Sequence, residues 1–131
     1  ALETIKLPSN ADIPEYIFDG CTQLVTVTLP VSFQSIGNYA FQDCELLTWG
    51  EDGLVLPNTL VSIGSSAFLN NTALTKVSFP TNLEGIGSSA FKNTGLTEVF
   101  IPNSVKDFGT RSTTNKYTVS TSVSVFSGCV T

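Results

Sequence analysis

Three cysteines, two close acidic pairs and the lack of any histidine bound the chemistry open to this chain of 131 residues. Without an imidazole there is no Ser/His/Asp triad, no Cys/His dyad, no histidine acid–base catalysis and no zinc site that needs histidine. Asp43/Glu45 and Glu51/Asp52 have the residue types for glycoside hydrolysis, which takes two carboxylates at a suitable separation. Nothing around either pair points to a desolvated cleft that would raise one pKa, so both read as solubilising loop charges. No D-x-D-x-D-G-type run of oxygen ligands occurs, which argues against calcium. Asn70-Asn71-Thr72 has the form of a glycosylation sequon. Cys21, Cys44 and Cys129 leave disulfide, metal and redox readings open beside a structural one, as small buried side chains. No metal, cofactor or catalytic group is expected, and the chain does not read as an enzyme.

Composition narrows the class further. The chain is 41% hydrophobic and 13% charged, which fits one domain with a sizeable core. Six basic against eleven acidic residues give a net charge of −5, so no footprint for nucleic acid or an anionic membrane is visible. The longest apolar runs, such as Val99-Phe100-Ile101, are far short of the ~18 residues of a membrane-spanning helix. The chain has no Met, and Ala1-Leu2-Glu3-Thr4 shows neither a basic nor an apolar leader region, as expected of a piece of a longer protein.

The elements that hold these residues repeat. Leu7-Pro8, Leu29-Pro30, Leu56-Pro57, Phe79-Pro80 and Ile101-Pro102 recur about every 22 or 23 residues, with one step of about 27. Phe18, Phe41, Phe68 and Phe91 keep the same time, three of them as Ala-Phe pairs. Before them stand Ile36-Gly37, Ile63-Gly64 and Ile86-Gly87, with Phe108-Gly109 in the fifth repeat and Ile13-Pro14 in the first. Proline holds φ near −65°, so this slot does not call for positive φ, and glycine there reads as room for a neighbouring coil. Three residues after the Phe come Cys21, Cys44, Asn71 and Thr94, and Cys129 follows Phe126 at the same distance. The cysteines therefore share one slot with Asn and Thr, which favours the structural reading; a Cys21–Cys44 bridge between adjacent coils is conceivable but not expected.

Leu24, Val27 and Leu29, then Leu74, Val77 and Phe79, follow L-x-x-V-x-L-P, whose last residues alternate apolar and polar as a half-buried strand does. Units this short can pair their strands only in parallel, at ~4.8 Å, each reached through the rest of the repeat. These residues resemble the BspA-like leucine-rich repeats, whose units look like L-T-x-V-x-I-P-x-S-V-x-x-I-G-x-x-A-F-x-x-C; Leu24 to Cys44 and Leu74 to Thr94 follow the pattern most fully, and the match covers nearly the whole chain. The resemblance implies an α/β-type repeat solenoid: a right-handed leucine-rich-repeat arc of about five coils. Its parallel β-sheet would lie on the concave side, with short second strands at the Ile-Gly segments and helical turns at Ala-Phe-x-x-Cys.

The repeats divide a single domain, 1–131, at about 2–23, 24–46, 47–73, 74–95 and 96–131. About four extra residues lie around Trp49 to Gly53, and a longer insertion occupies 110–124. There Tyr117, Val119, Val123 and Val125 alternate with polar residues as in an extra strand. The outward strand positions Thr4, Lys6, Thr26, Thr28, Lys76, Ser78, Glu98 and Phe100 form the candidate binding face, with Trp49, Arg111 and Tyr117 as secondary candidates. Phe100 stands out as an aromatic residue on an outward face. The resemblance implies a non-enzymatic adhesion or protein-binding module at the cell surface or secreted. Its partner would be a host extracellular-matrix or cell-surface protein, or a glycan, and the fragment itself a monomer. A Thr- and Ser-rich face also fits a spacer or stalk displaying another domain.

Overall fold

The structure, a computed structural model, describes residues 4–8, 11–96, 99, 101, 102, 104 and 105. Its strands are β1 (Thr4–Lys6), β2 (Thr26–Thr28), β3 (Ser35–Ile36), β4 (Leu54–Val55), β5 (Ser62–Ile63), β6 (Val77–Ser78) and β7 (Gly85–Ile86). They build two parallel ladders. In the first, β1 pairs with β2, Lys6 opposite Thr28, and β4 with β6, Val55 opposite Ser78. In the second, β3, β5 and β7 lie in order, with Ile36, Ile63 and Ile86 in one column that an isolated bridge extends to Ile13. Every partner lies one repeat further along, so each repeat is one coil laid on the last. Alternation sets the faces: Val27 is buried between exposed Thr26 and Thr28.

Between the ladders runs a spine of phenylalanines. Phe18–Phe41, Phe41–Phe68 and Phe68–Phe91 stack with centroids 5.4, 5.1 and 5.2 Å apart, and Phe41, Phe68 and Phe91 are wholly buried. Face-on stacking at this distance is imposed by the coil repeat, since parallel strands lie ~4.8 Å apart.

The Ala-Phe-x-x-Cys segments, expected to be helical turns, are runs of hydrogen-bonded turns instead, and no helix occurs among the described residues. The N–H groups of Tyr39, Phe41 and Asp43 all donate to the next coil, to the carbonyls of Ser65, Ala67 and Leu69 at 2.8–2.9 Å. An amide committed to a neighbouring coil is lost to an i→i−4 helical bond. The price is positive φ at two slots: 61° and 59° at Tyr16 and Tyr39, and 61°, 63° and 56° at Asp43, Asn70 and Asn93. Asp and Asn tolerate that region better than most residues, which suits the second slot.

The Ile-Gly slot is explained by contact and not by φ. A Cβ on Gly64 would lie 2.5 Å from the Asn38 nitrogen and 2.6 Å from the Gly37 carbonyl carbon, and Gly37 and Gly87 are crowded in the same way by the preceding coil. The cysteine slot is a buried polar column: Cys44 Sγ donates to the Phe18 carbonyl at 3.1 Å and Asn71 Nδ2 to the Phe41 carbonyl at 2.6 Å. Each therefore satisfies a carbonyl of the preceding coil.

Three stability outcomes follow. Phe68→Ala removes the central ring of the spine and costs ~3–5 kcal/mol in denaturant unfolding. Gly64→Ala costs about 3 kcal/mol through overpacking. Gly20→Ala, where φ is 75° but nothing lies within 4 Å of the new methyl, costs only about 1 kcal/mol.

Candidate functional site

The first ladder presents the face on which the candidate residues fall. Lys6, Thr26, Thr28, Lys76 and Ser78 are all exposed on it, and Thr4 stands on β1 opposite Thr26. Val55 joins them: it pairs with Ser78 and is 60% exposed, an apolar side chain in the middle of a polar face. Its position in the L-x-x-V-x-L-P frame already marked it as outward. Glu98, Phe100, Arg111 and Tyr117 lie outside the described residues, as does Cys129.

The four-residue insertion lies on this same face. It divides the ladder, so that β1–β2 and β4–β6 are separate two-stranded sheets, while β3–β5–β7 runs on unbroken behind it. Thr48 keeps the two halves in touch through its N–H to the Val25 carbonyl, 2.9 Å. A turn closed by the Gly53 N–H to the Gly50 carbonyl carries Glu51 and Asp52 into solvent. Trp49 turns the other way. Its indole lies edge-on to Phe41 and Phe68, centroids 5.8 and 6.4 Å away, and its Nε1 is buried without a hydrogen-bond partner. Trp49 is thus chiefly a core plug that leaves only part of its surface to a partner.

An aromatic pair escaped the sequence reading. Tyr16 and Tyr39 stack at 4.9 Å and 9° on the turn side, with Tyr16 53% exposed. Their shared slot, two residues before the Phe, was the available signal. Asp43, half of one acidic pair, accepts a 2.6 Å hydrogen bond from Asn70 Nδ2, and Asn70 accepts in turn from Asn93 Nδ2 at 3.0 Å. The sequon asparagine is therefore one rung of an inter-coil ladder. Among the described residues no group of three His, Cys, Asp or Glu side chains could hold a metal ion, and no helix is long and apolar enough to cross a membrane.

Coils of this length, each giving one short strand to a parallel ladder and one apolar row to a shared core, define a leucine-rich-repeat protein. The chain belongs to the family described as the BspA type leucine rich repeat region, which matches residues 1–120 in 6 copies. A leucine-rich-repeat protein of T. pallidum is 35% identical, with a TM-score of 0.71 over 82% of this chain and 51% of its own. One from Bacteroides ovatus is 25% identical, TM-score 0.72, over 81% of this chain and 29% of its own. A leucine rich cell surface protein of Faecalibacterium prausnitzii, 21% identical with a TM-score of 0.56 over 83% of this chain and 44% of its own, shares the fold. The chain thus spans about half of the first relative and under a third of the second. No curated protein sequence matches it.

Cys21 and Cys44 are both free thiols, the first half-buried and the second buried. Burial, reinforced by nearby Cys21, pushes the Cys44 thiol up to about 12. The native chain then holds a proton that the unfolded chain releases near 9, so this group's contribution is intact below that pH and weakens as pH climbs toward 12. Because the thiolate is the nucleophile, iodoacetamide at about pH 8 modifies Cys21 in the folded protein and reaches Cys44 only after denaturation, as peptide mapping checks.

Proposed function

We propose that this chain is a protein-binding module of a cell-surface or secreted protein, working through the first ladder's outward side chains in adhesion to a host matrix or cell-surface protein. The observation that carries the reading is Val55. An apolar side chain 60% exposed on a face that also carries Thr28, Ser78 and the lysines gives a partner an apolar point of contact to cover. The backbone beneath it is held by parallel pairing, so this face offers side chains to a partner without rearranging. Family membership supports an interaction role, and the F. prausnitzii neighbour's description as a cell surface protein accords with the location.

Size sets the expected strength. The four described strands of the first ladder, at ~4.8 Å with about four residues each at ~3.3 Å, offer a strip of roughly 250 Å², well under the ~800 Å² per partner of a standard interface. One such face binds weakly, and firm adhesion draws on further coils or on multivalent display. The face's hydroxyl-rich remainder supports the second reading, a spacer that displays another domain.

Binding of the chain, free and displayed on beads, to a panel of extracellular-matrix proteins separates the two. Val55→Glu and Lys76→Glu each weaken capture about tenfold if the ladder face is the contact. Unchanged capture in both, or none by the displayed wild type, with the fold intact by circular dichroism, would support the spacer.

A further inference from the structure

The loops that follow the prolines carry a feature the strand face does not explain. Two residues past successive prolines stand Ser32, Thr59, Asn82 and Ser104, a hydroxyl or an amide in each coil. Asn58, Thr59, Thr81, Asn82, Glu84 and Ser104 surround a groove of about 650 Å³ with Val61 in its wall. At Thr59 it meets a second groove of about 390 Å³ lined by Asp12, Ser32, Phe33 and Gln34. Together they make one trough along the flank of the stack, and each part has a volume in the ~300–1,000 Å³ range of ligand sites.

Bonds between coils set the walls. Thr59 Oγ1 donates to the Phe33 carbonyl at 2.8 Å and accepts from the Phe33 N–H at 3.1 Å. Asp12 Oδ1 accepts from the Gln34 and Ser35 N–H groups at 2.8 and 3.3 Å, and Asn82 Nδ2 donates to the Asn58 carbonyl at 2.8 Å. Ser104 Oγ, in the wall, is buried with no hydrogen-bond partner and is not itself open to the groove. Other groups remain open to a ligand. Asn58, Thr81 and Glu84 are exposed, and Val61, 37% exposed, adds an apolar patch.

This lining selects a chemistry. In the described lining Asp12 and Glu84 repel phosphate or sulfate. Phe33 is only 2% exposed, so no open aromatic pocket waits for a protein anchor. What remains is a row of donors and acceptors beside a methyl surface, recurring with the coil spacing that the 5.1–5.4 Å ring stacking measures. A site with translational repeat suits a ligand with the same property. We propose that the trough binds an extended neutral oligosaccharide lying along the stack, its hydroxyls meeting the polar slots and its C–H faces meeting Val61.

The test is an amide NMR titration of the chain with cellohexaose, laminarihexaose and maltohexaose, with a heparin hexasaccharide as the anionic control. At least one neutral hexasaccharide shifts the amides of residues 58–61 and 81–84. Thr81→Arg, placing a long side chain in the trough from an exposed position, weakens that binding about tenfold while spectral dispersion is kept. Val55→Glu on the strand face leaves it unchanged, so failure here and failure of the protein-binding reading are distinct results. The proposal is overturned if no neutral sugar shifts these amides at about 10 mM, if shifts fall on β2 and β6 instead, if heparin binds more tightly, or if Thr81→Arg binds as well as the wild type.

Discussion

The whole chain is governed by one spacing. Parallel strands settle ~4.8 Å apart because their backbone bonds demand it, and aromatic rings pack face-on at nearly the same distance, here 5.1–5.4 Å. Backbone ladder and phenylalanine spine therefore advance together, and neither drifts out of register with the other. Whatever stands between two coils must fit that gap. Ala40, Ala67 and Ala90 beside the spine are fully buried, and the glycines after Ile36, Ile63 and Ile86 sit where a methyl group would strike the preceding backbone. The positive-φ residues serve the same spacing, because they turn amides toward the next coil instead of along their own.

Irregularity is pushed to one side. The extra residues before Leu54 separate β2 from β4, yet Phe41 and Phe68 remain stacked and β3 stays paired with β5. Trp49 stands against both rings, filling space that the divided ladder opens. The insertion varies the outward face without disturbing the core, which is how repeat proteins diversify what they present.

What could be read from the residues is what recurs. The Phe spine, the Val27 and Val77 strand slots and the close-packed Ile-Gly slot announce themselves because each coil solves one packing problem with the same residue type. The cysteine slot was legible for the same reason, since Asn71 and Thr94 marked it as a place for a small buried side chain, while its role as a donor to the preceding coil came only with the fold. The turns at Ala-Phe-x-x-Cys were not, because the pattern does not record whether an amide bonds within its own segment or to the coil beyond. The flank trough was less plain: the Ser32, Thr59, Asn82 and Ser104 slot recurs, but the neighbouring Asn58 and Thr81 do not share a chemistry, and only the fold brings these loops into one groove. On the strand face, outward direction was readable for Lys6, Thr28, Lys76 and Ser78, whereas the exposure of Val55 emerged only with the fold.

The turn-side hydrogen bonds also have a direction. Tyr16, Phe18 and Gly20 donate to Asn38, Ala40 and Gln42; Tyr39, Phe41 and Asp43 donate to Ser65, Ala67 and Leu69; Ser66, Phe68 and Asn70 donate to Ser88, Ala90 and Lys92. Every one of these bonds points the same way along the stack. On the turn side each coil therefore shows donors toward the following coil and acceptors toward the preceding one, like a magnet with fixed poles. Two copies meeting through like sides would set carbonyl against carbonyl or amide against amide, so a two-fold contact of that kind is disfavoured. On the turn side a coil is thus matched only head to tail, and association between separate chains through that side would carry the same arrow.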